Sequence, residues 1–294
     1  MKVEDKMNFE EMYQRFLDSV EHPVNKNTTD YLGINISADV DEPVMKVYYA
    51  TRMHRQIKRY PFLAQIEKRD MLRDYEVTQD TVLSDYFRVY CGLKNRSNDK
   101  MRDFFELLSN ESDIFNECKS DIEELTKIRI TDMDNYEKYS SLYQVGIKEK
   151  NGVIEELKLY FYTKWCKNPN YPFEDSVYKD DFYIQFLKSC TIENYRKLSL
   201  LAEKIVSKLN CHMWLVGMDA KKNNYRKNKI YIRTNGVDEE ELIKMLICEF
   251  EQMNKKLEML KEWRTDHQEY ELEGIGLCID SYNVFSLNFY YCFV

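Results

Sequence analysis

The sequence predicts an α+β protein assembled from one strand-pair unit used several times, with helices between successive pairs. It does not predict a helical bundle or a parallel nucleotide-binding sheet. Three observations carry this. Four pairs of segments have the two-residue alternation of strands. The first strand of each pair carries a glycine beside a large apolar residue: Gly33-Ile34, Gly146-Ile147, Gly217-Met218 and Gly276-Leu277. Three of the second strands repeat one triplet, Lys46-Val47-Tyr48, Lys158-Leu159-Tyr160 and Lys229-Ile230-Tyr231, and repetition of a supersecondary unit is an informative signal of architecture.

The elements follow in order. Phe9, Met12, Phe16 and Val20 recur at helical spacing and predict a helix over Asn8 to Val20. Pro23 and a run of Asn and Thr then break the chain. Leu32 to Ser37 and Val44 to Tyr49 alternate on either side of a polar turn, which makes the first strand pair. Between Arg52 and Tyr139 the period is less decided. Met101 to Leu108 reads as helical, as does the stretch with Ile114, Cys118, Ile122 and Leu125. Asp85 to Leu93 fits strand or helix, and a hairpin between Met71 and Gly92 would supply a fifth pair. Tyr143 to Ile147 and Glu156 to Tyr162 flank Lys150-Asn151-Gly152, and Asn-Gly is a strong hairpin signal. A loop with Pro169 and Pro172 precedes an amphipathic helix over Glu193 to Leu209. The third pair is Met213 to Asp219 with Lys229 to Arg233. Asp238 and Glu241 then form a capping pair that opens one long helix through Leu242, Leu246, Met253, Leu257 and Leu260. Gly274 to Asp280 and Phe285 to Tyr291 are the last pair.

No linker divides the chain, so residues 1–294 are expected to be a single domain. Apolar residues at 44% are enough for a core, and a formal net charge of -8 argues against a broad nucleic-acid footprint. The eight cysteines include no Cys-x-x-Cys pair, which suits a reducing compartment and speaks against structural zinc. The four histidines lack metal-ligand spacing, so no protein-only metal site is expected. The opening residues have no apolar signal core and no run reaches the length of a membrane span; a cytoplasmic location and no membrane partner are expected. Phosphate loops, dinucleotide fingerprints, Asp-rich isoprenoid-synthase motifs and serine-hydrolase elbows are not found.

Strand alternation separates two faces. One holds Val47, Leu157, Leu159, Phe161, Ile230, Ile232, Leu287 and Phe289, and should pack under the helices. The other holds Lys46, Tyr48, Lys158, Tyr160, Tyr162, Lys229, Tyr231, Arg233, Asn288 and Tyr290. That face is either the solvated side of an open sheet or the lining of a closed barrel. In a barrel it would pair cations suited to a diphosphate with rings suited to shielding a carbocation, the requirements of prenyl transfer.

At these strands the sequence resembles the ABBA-type prenyltransferases, single barrels of repeated α-β-β-α units with antiparallel strands inside and helices outside. The resemblance runs from about Tyr31 to Val294 and rests on the Gly-apolar first strands, among them Trp214-Leu215-Val216-Gly217-Met218-Asp219, on the Lys-x-Tyr second strands, and on the terminal Phe289-Tyr290-Tyr291. It implies transfer of a dimethylallyl or geranyl group from its diphosphate to an aromatic side chain or small molecule, as in the biosynthesis of modified peptides and secondary metabolites. By the same resemblance Lys46, Lys158, Lys229 and Arg233 hold the diphosphate, and Tyr48, Tyr160, Tyr231 and Tyr290 form the cation shield. A Mg²⁺ ion accompanies the diphosphate in part of that family. Where the family often places a carboxylate to orient the acceptor, this chain has Asn35, with Asp39 nearby. Two other readings stay open: a non-catalytic barrel that binds a lipid diphosphate or peptide, and an open-sheet interaction domain.

Overall fold

The computed structural model describes residues 9–20, 23–49, 61–80, 88–93, 98–130, 142–150, 153–162, 180–234 and 236–294. The Lys150-Asn151-Gly152 turn (apart from Lys150) and the loop with Pro169 and Pro172 lie outside them.

Ten strands form five antiparallel pairs. They are β1 (Thr29–Ser37) with β2 (Val44–Tyr49), β3 (Leu72–Asp80) with β4 (Arg88–Leu93), β5 (Leu142–Lys150) with β6 (Val153–Tyr162), β7 (His212–Lys221) with β8 (Tyr225–Arg233), and β9 (Tyr270–Asp280) with β10 (Phe285–Phe293). Each strand bonds to its sequence neighbours, and β1 also bonds to β10, which closes the sheet into a barrel. Closure excludes the open-sheet reading. It also yields the fifth pair, β3 with β4, in the stretch where the sequence period was ambiguous.

Helices separate the pairs: α1 (Phe9–Ser19) before the first, then α2 (Pro61–Lys68), α3 (Asn98–Glu111) and α4 (Asp113–Ile130), α5 (Asp180–Ser189) and α6 (Glu193–Leu209), and α7 (Glu239–Glu249) and α8 (Asn254–Asp266). The outward strand face packs under them as expected: Val47, Leu157, Leu159, Ile230, Ile232, Leu287 and Phe289 are buried. The helical side of this core comes from stripes such as Tyr195, Leu198, Ala202 and Ile205 of α6. Burying such a side chain contributes about 1.5–3 kcal/mol, so this outer layer holds the barrel together. α6 stops where Asn210 adopts a left-handed conformation (φ 50°), a position asparagine tolerates well.

One expectation needs correction. The long helix after Asp238 is two helices. Asp238 caps the first as expected, accepting from the amides of Glu240 and Glu241. Phe250 then leaves the helical region (φ -130°, ψ 69°), and a 3-10 turn over Glu251–Met253 leads into α8. No proline or glycine forces the break. Phe250 packs on Phe285 of β10 with ring centroids 5.4 Å apart, and the break lets the chain follow the curved wall with Leu246, Phe250, Met253 and Leu257 all buried.

Candidate active site

Depth in the lumen is set by register. A lumen-facing residue of each first strand stands opposite a tyrosine of the neighbouring second strand: Gly33 opposite Tyr290, Thr78 opposite Tyr48, Gly146 opposite Tyr90, Gly217 opposite Tyr160 and Gly276 opposite Tyr231. Four of these five positions are glycine, and at each a tyrosine ring crowds the place a Cβ would take: Tyr48 at Gly33, Tyr90 at Gly146, Tyr160 at Gly217 and Tyr231 at Gly276. A Cβ at Gly146 would stand 2.7 Å from Cε1 of Tyr90, a separation that real Cβ atoms do not show.

The result is a closed ring of five tyrosines at one level, one from each even-numbered strand, four of them buried and Tyr290 partly buried. The successive centroid separations are 5.8 Å from Tyr48 to Tyr90, 6.0 Å to Tyr160, 5.7 Å to Tyr231, 5.8 Å to Tyr290 and 5.9 Å back to Tyr48. A regular pentagon with such sides puts its centre about 5 Å from every centroid, inside the ~6 Å reach of a cation–π contact. Burial drives the phenols of Tyr160, Tyr231 and Tyr290 well above the ordinary tyrosine range, so they stay neutral.

Two residues before each tyrosine lies the next layer: Lys46, Arg88, Lys158, Lys229 and Asn288. Here Lys158 and Lys229 come together, each 5% exposed, so they do not belong to a solvated face. Between them stands Asp219 of β7. Its Oδ2 accepts from Lys158 Nζ at 2.8 Å and from Lys229 Nζ at 2.5 Å, and Glu156 lies 3.1 Å from Lys158. Two ammonium groups thus face two carboxylates. Burial opposes the charge on Asp219, but Lys158 and Lys229 outweigh it and hold its carboxyl below the usual range. Burial brings Lys229 down to about 8. Its ammonium also lies 5.9 Å from the Tyr160 centroid, which joins the charged layer to the aromatic one.

On the other side of the ring a cavity of about 110 Å³ is lined by the five tyrosines with Tyr31, Gln144, Trp214 and Leu215. Its walls are largely aromatic. Its size is near that of a single aromatic ring, since ~150 Å³ is enough for benzene. Arg233 belongs to this side. Its guanidinium lies 4.8 Å over Trp214 and pairs with Glu273.

The expected site residues therefore divide. Tyr48, Tyr160, Tyr231 and Tyr290 share one layer, with Tyr90 as an additional member. Lys158 and Lys229 share the adjacent layer, and half-buried Lys46 stands at the same level on β2. Arg233 is two residues beyond Tyr231 and so on the far side of the ring from the lysines. Asn35 faces the lumen, but its amide donates to the Leu287 carbonyl at 3.1 Å and to Asn288 Oδ1 at 2.9 Å, so it is a structural tie with no carboxylate chemistry. Asp39 sits exposed in the β1–β2 turn, where it accepts from the Ser37 hydroxyl. Tyr90 and Asp219 were not singled out from the sequence. Arg88-Val89-Tyr90 repeats the cation-x-Tyr pattern, and Asp219 lies two residues after Gly217, as Asn35 does after Gly33.

No protein-family sequence model matches the chain, and no curated protein matches it in sequence. Solved structures do match its fold. The crystal structure of AnaPT from Neosartorya fischeri superposes with a TM-score of 0.58 at 11% identity over 90% of this chain and 78% of that one. The 6-dimethylallyltryptophan synthase from Micromonospora olivasterospora, solved with DMASPP and Trp, gives 0.57 at 10% identity over 90% and 82%. The NotF prenyltransferase gives 0.52 at 9% identity over 90% and 80%. The chain has the fold of the ABBA prenyltransferases, as its repeats suggest.

Proposed function

We propose that this barrel transfers an isoprenyl group from its diphosphate to an aromatic acceptor, an amino acid or peptide side chain foremost. The observation that carries the reading is the five-tyrosine ring set directly against a buried lysine pair. The diphosphate lies on the layer of Lys46, Lys158 and Lys229, and the allylic carbons lie at the centre of the ring. As the C1–O bond breaks, its electron pair stays with the diphosphate. The positive charge that develops on the allyl group faces five π systems, each worth about 0.5–2 kcal/mol to a cation. The acceptor ring enters from the cavity beside Trp214, on the face opposite the leaving group, and its π electrons form the new C–C bond. The proton it gives up passes to the departing diphosphate, so the chemistry does not need a carboxylate at Asn35. Likeness to a synthase solved with DMASPP and Trp supports this class of substrates.

Incubating the protein with dimethylallyl or geranyl diphosphate and tryptophan-, tyrosine- or indole-bearing acceptors, read by mass spectrometry, tests this. A gain of one isoprenyl unit on the acceptor is expected. Ligand binding without any product would favour a second reading, a non-catalytic barrel. The tied amide of Asn35 and the carboxylate between the two lysines speak for that one.

A further inference from the structure

The cavity beyond the tyrosine ring has a repeated construction of its own. In β1, β5 and β7 the pairing slips by one residue just past the ring. The first paired residue after each slip faces a ring tyrosine: Tyr31 opposite Tyr48, Gln144 opposite Tyr160 and Leu215 opposite Tyr231. We propose that this cavity selects an acceptor with a single phenol ring, that Gln144 reads its hydroxyl, and that Trp214 keeps out a fused second ring. The proposal rests on the reading that the lumen carries out prenyl transfer.

The slip on β7 inserts Trp214 as an extra residue between Met213 and Leu215. A bulge of this kind re-aims a side chain, and here the consecutive residues Trp214 and Leu215 both line the cavity. The Arg233 guanidinium, 4.8 Å over the Trp214 ring, steadies that wall. The space left is about 110 Å³, and a cavity of ~150 Å³ holds one benzene. A single ring therefore fills it, and an indole, with half again as many ring atoms, does not fit behind Trp214. The polar groups narrow the class further. Gln144 is half-buried on the cavity wall, and its amide has no hydrogen-bond partner among the described residues. An amide both donates and accepts, which suits a neutral hydroxyl, and it has no charge to offset a carboxylate or an ammonium group. Arg233, the cation on this side, is paired with Glu273. A zwitterionic backbone therefore stays outside, and the acceptor enters ring first, as the tyrosine of a peptide does. The place of Gln144 opposite Tyr160 sets that hydroxyl beside the ring that surrounds the allyl group.

The test is calorimetric titration of the full chain, in the presence of inorganic pyrophosphate, with the N-acetyl amides of tyrosine, phenylalanine and tryptophan. The tyrosine probe is expected to bind about fivefold more tightly than the phenylalanine probe, which lacks the hydroxyl, and at least about tenfold more tightly than the tryptophan probe. Gln144→Leu should bring the tyrosine probe level with the phenylalanine probe and leave the latter unchanged within about twofold. Trp214→Ala should raise affinity for the tryptophan probe at least about tenfold. A merely structural role for either residue would move all three probes together. A native protein that prefers tryptophan, or takes tyrosine and phenylalanine equally, would overturn the proposal whether or not the variants fold. So would binding of none of the three. Transfer of an isoprenyl unit to another acceptor would then leave the prenyltransferase reading standing, whereas failure to bind dimethylallyl diphosphate would remove that reading as well.

Discussion

Gly217→Ala probes the tyrosine ring from behind. An added methyl would lie 3.0 Å from Cδ1 of Tyr160 and 3.2 Å from Cε2 of Tyr231. Carbon atoms rest at about 3.5–4.0 Å, so both rings have to give way by roughly half an ångström. The barrel wall is behind them, so they move toward the axis. The centre of the pentagon is about 5 Å from each centroid, and an isoprenyl carbon needs about 3.5–4 Å from a ring face, so the spare distance is only ~1 Å. Moving two of the five corners consumes half of it. Overpacking of this kind costs about 1–3 kcal/mol and should lower the melting point by roughly 2–10 °C. The ligand signature is more specific. Dimethylallyl diphosphate affinity should fall about tenfold, and pyrophosphate affinity should stay within about twofold, because the methyl meets the rings and not the lysines. Calorimetry with both ligands at one Mg²⁺ concentration reads this. Equal loss for both, or no loss for either, refutes a lumen in which the rings surround the carbon chain and the lysines hold the phosphates.

Three further outcomes follow from the charged groups. Lys158→Ala should destabilise the fold by about 3–5 kcal/mol, because it removes one of the two ammonium partners of a buried carboxylate; chemical denaturation measures it, and a loss under about 1 kcal/mol would contradict the ion cluster. Lys229 sits near 8, below its unfolded value of 10.5, so pyrophosphate affinity should fall as pH rises through about 8. In the window from 8 to 10.5 the unfolded chain carries the extra proton, so this group's contribution to stability rises with pH there; Lys229→Met should flatten both dependences. Burial lowers His267, yet hydrogen bonds to Glu10 (2.8 Å) and Glu269 (2.9 Å) raise it overall, so its clamp between α1 and the α8–β9 turn is complete below about pH 6.5 and is lost as pH climbs through the raised value. His267→Gln should therefore lower the melting point by a few degrees at pH 6 and by much less at pH 9.

Much of this architecture was legible because strand alternation and glycine placement are local properties. The Gly-apolar and Lys-x-Tyr steps located four of the five pairs and put Lys158, Tyr160, Lys229 and Tyr231 on one face. The second pair stayed ambiguous because β4 has only six residues, and Tyr86-Phe87-Arg88-Val89-Tyr90 is too evenly bulky to reveal a period. Alternation assigns a face but not a depth. Arg233 shares the face of Lys229 but lies four residues farther along β8, which puts the tyrosine layer between them. Nor does alternation say what stands across a strand boundary. The lysine face reads as cationic in sequence, while its counter-charge, Asp219, sits on the neighbouring strand and meets Lys158 through register. The split after α7 was hidden for a similar reason, since Phe250 leaves the helix to meet Phe285, a partner 35 positions along the chain.

The most direct measurement is a crystal structure of the protein with a non-hydrolysable dimethylallyl thiolodiphosphate and Mg²⁺. The diphosphate is expected against Lys158 and Lys229, and the five dimethylallyl carbons inside the ring of Tyr48, Tyr90, Tyr160, Tyr231 and Tyr290, within about 6 Å of the centroids. An analogue bound elsewhere, with the Lys158–Asp219–Lys229 cluster undisturbed and the ring empty, would contradict it.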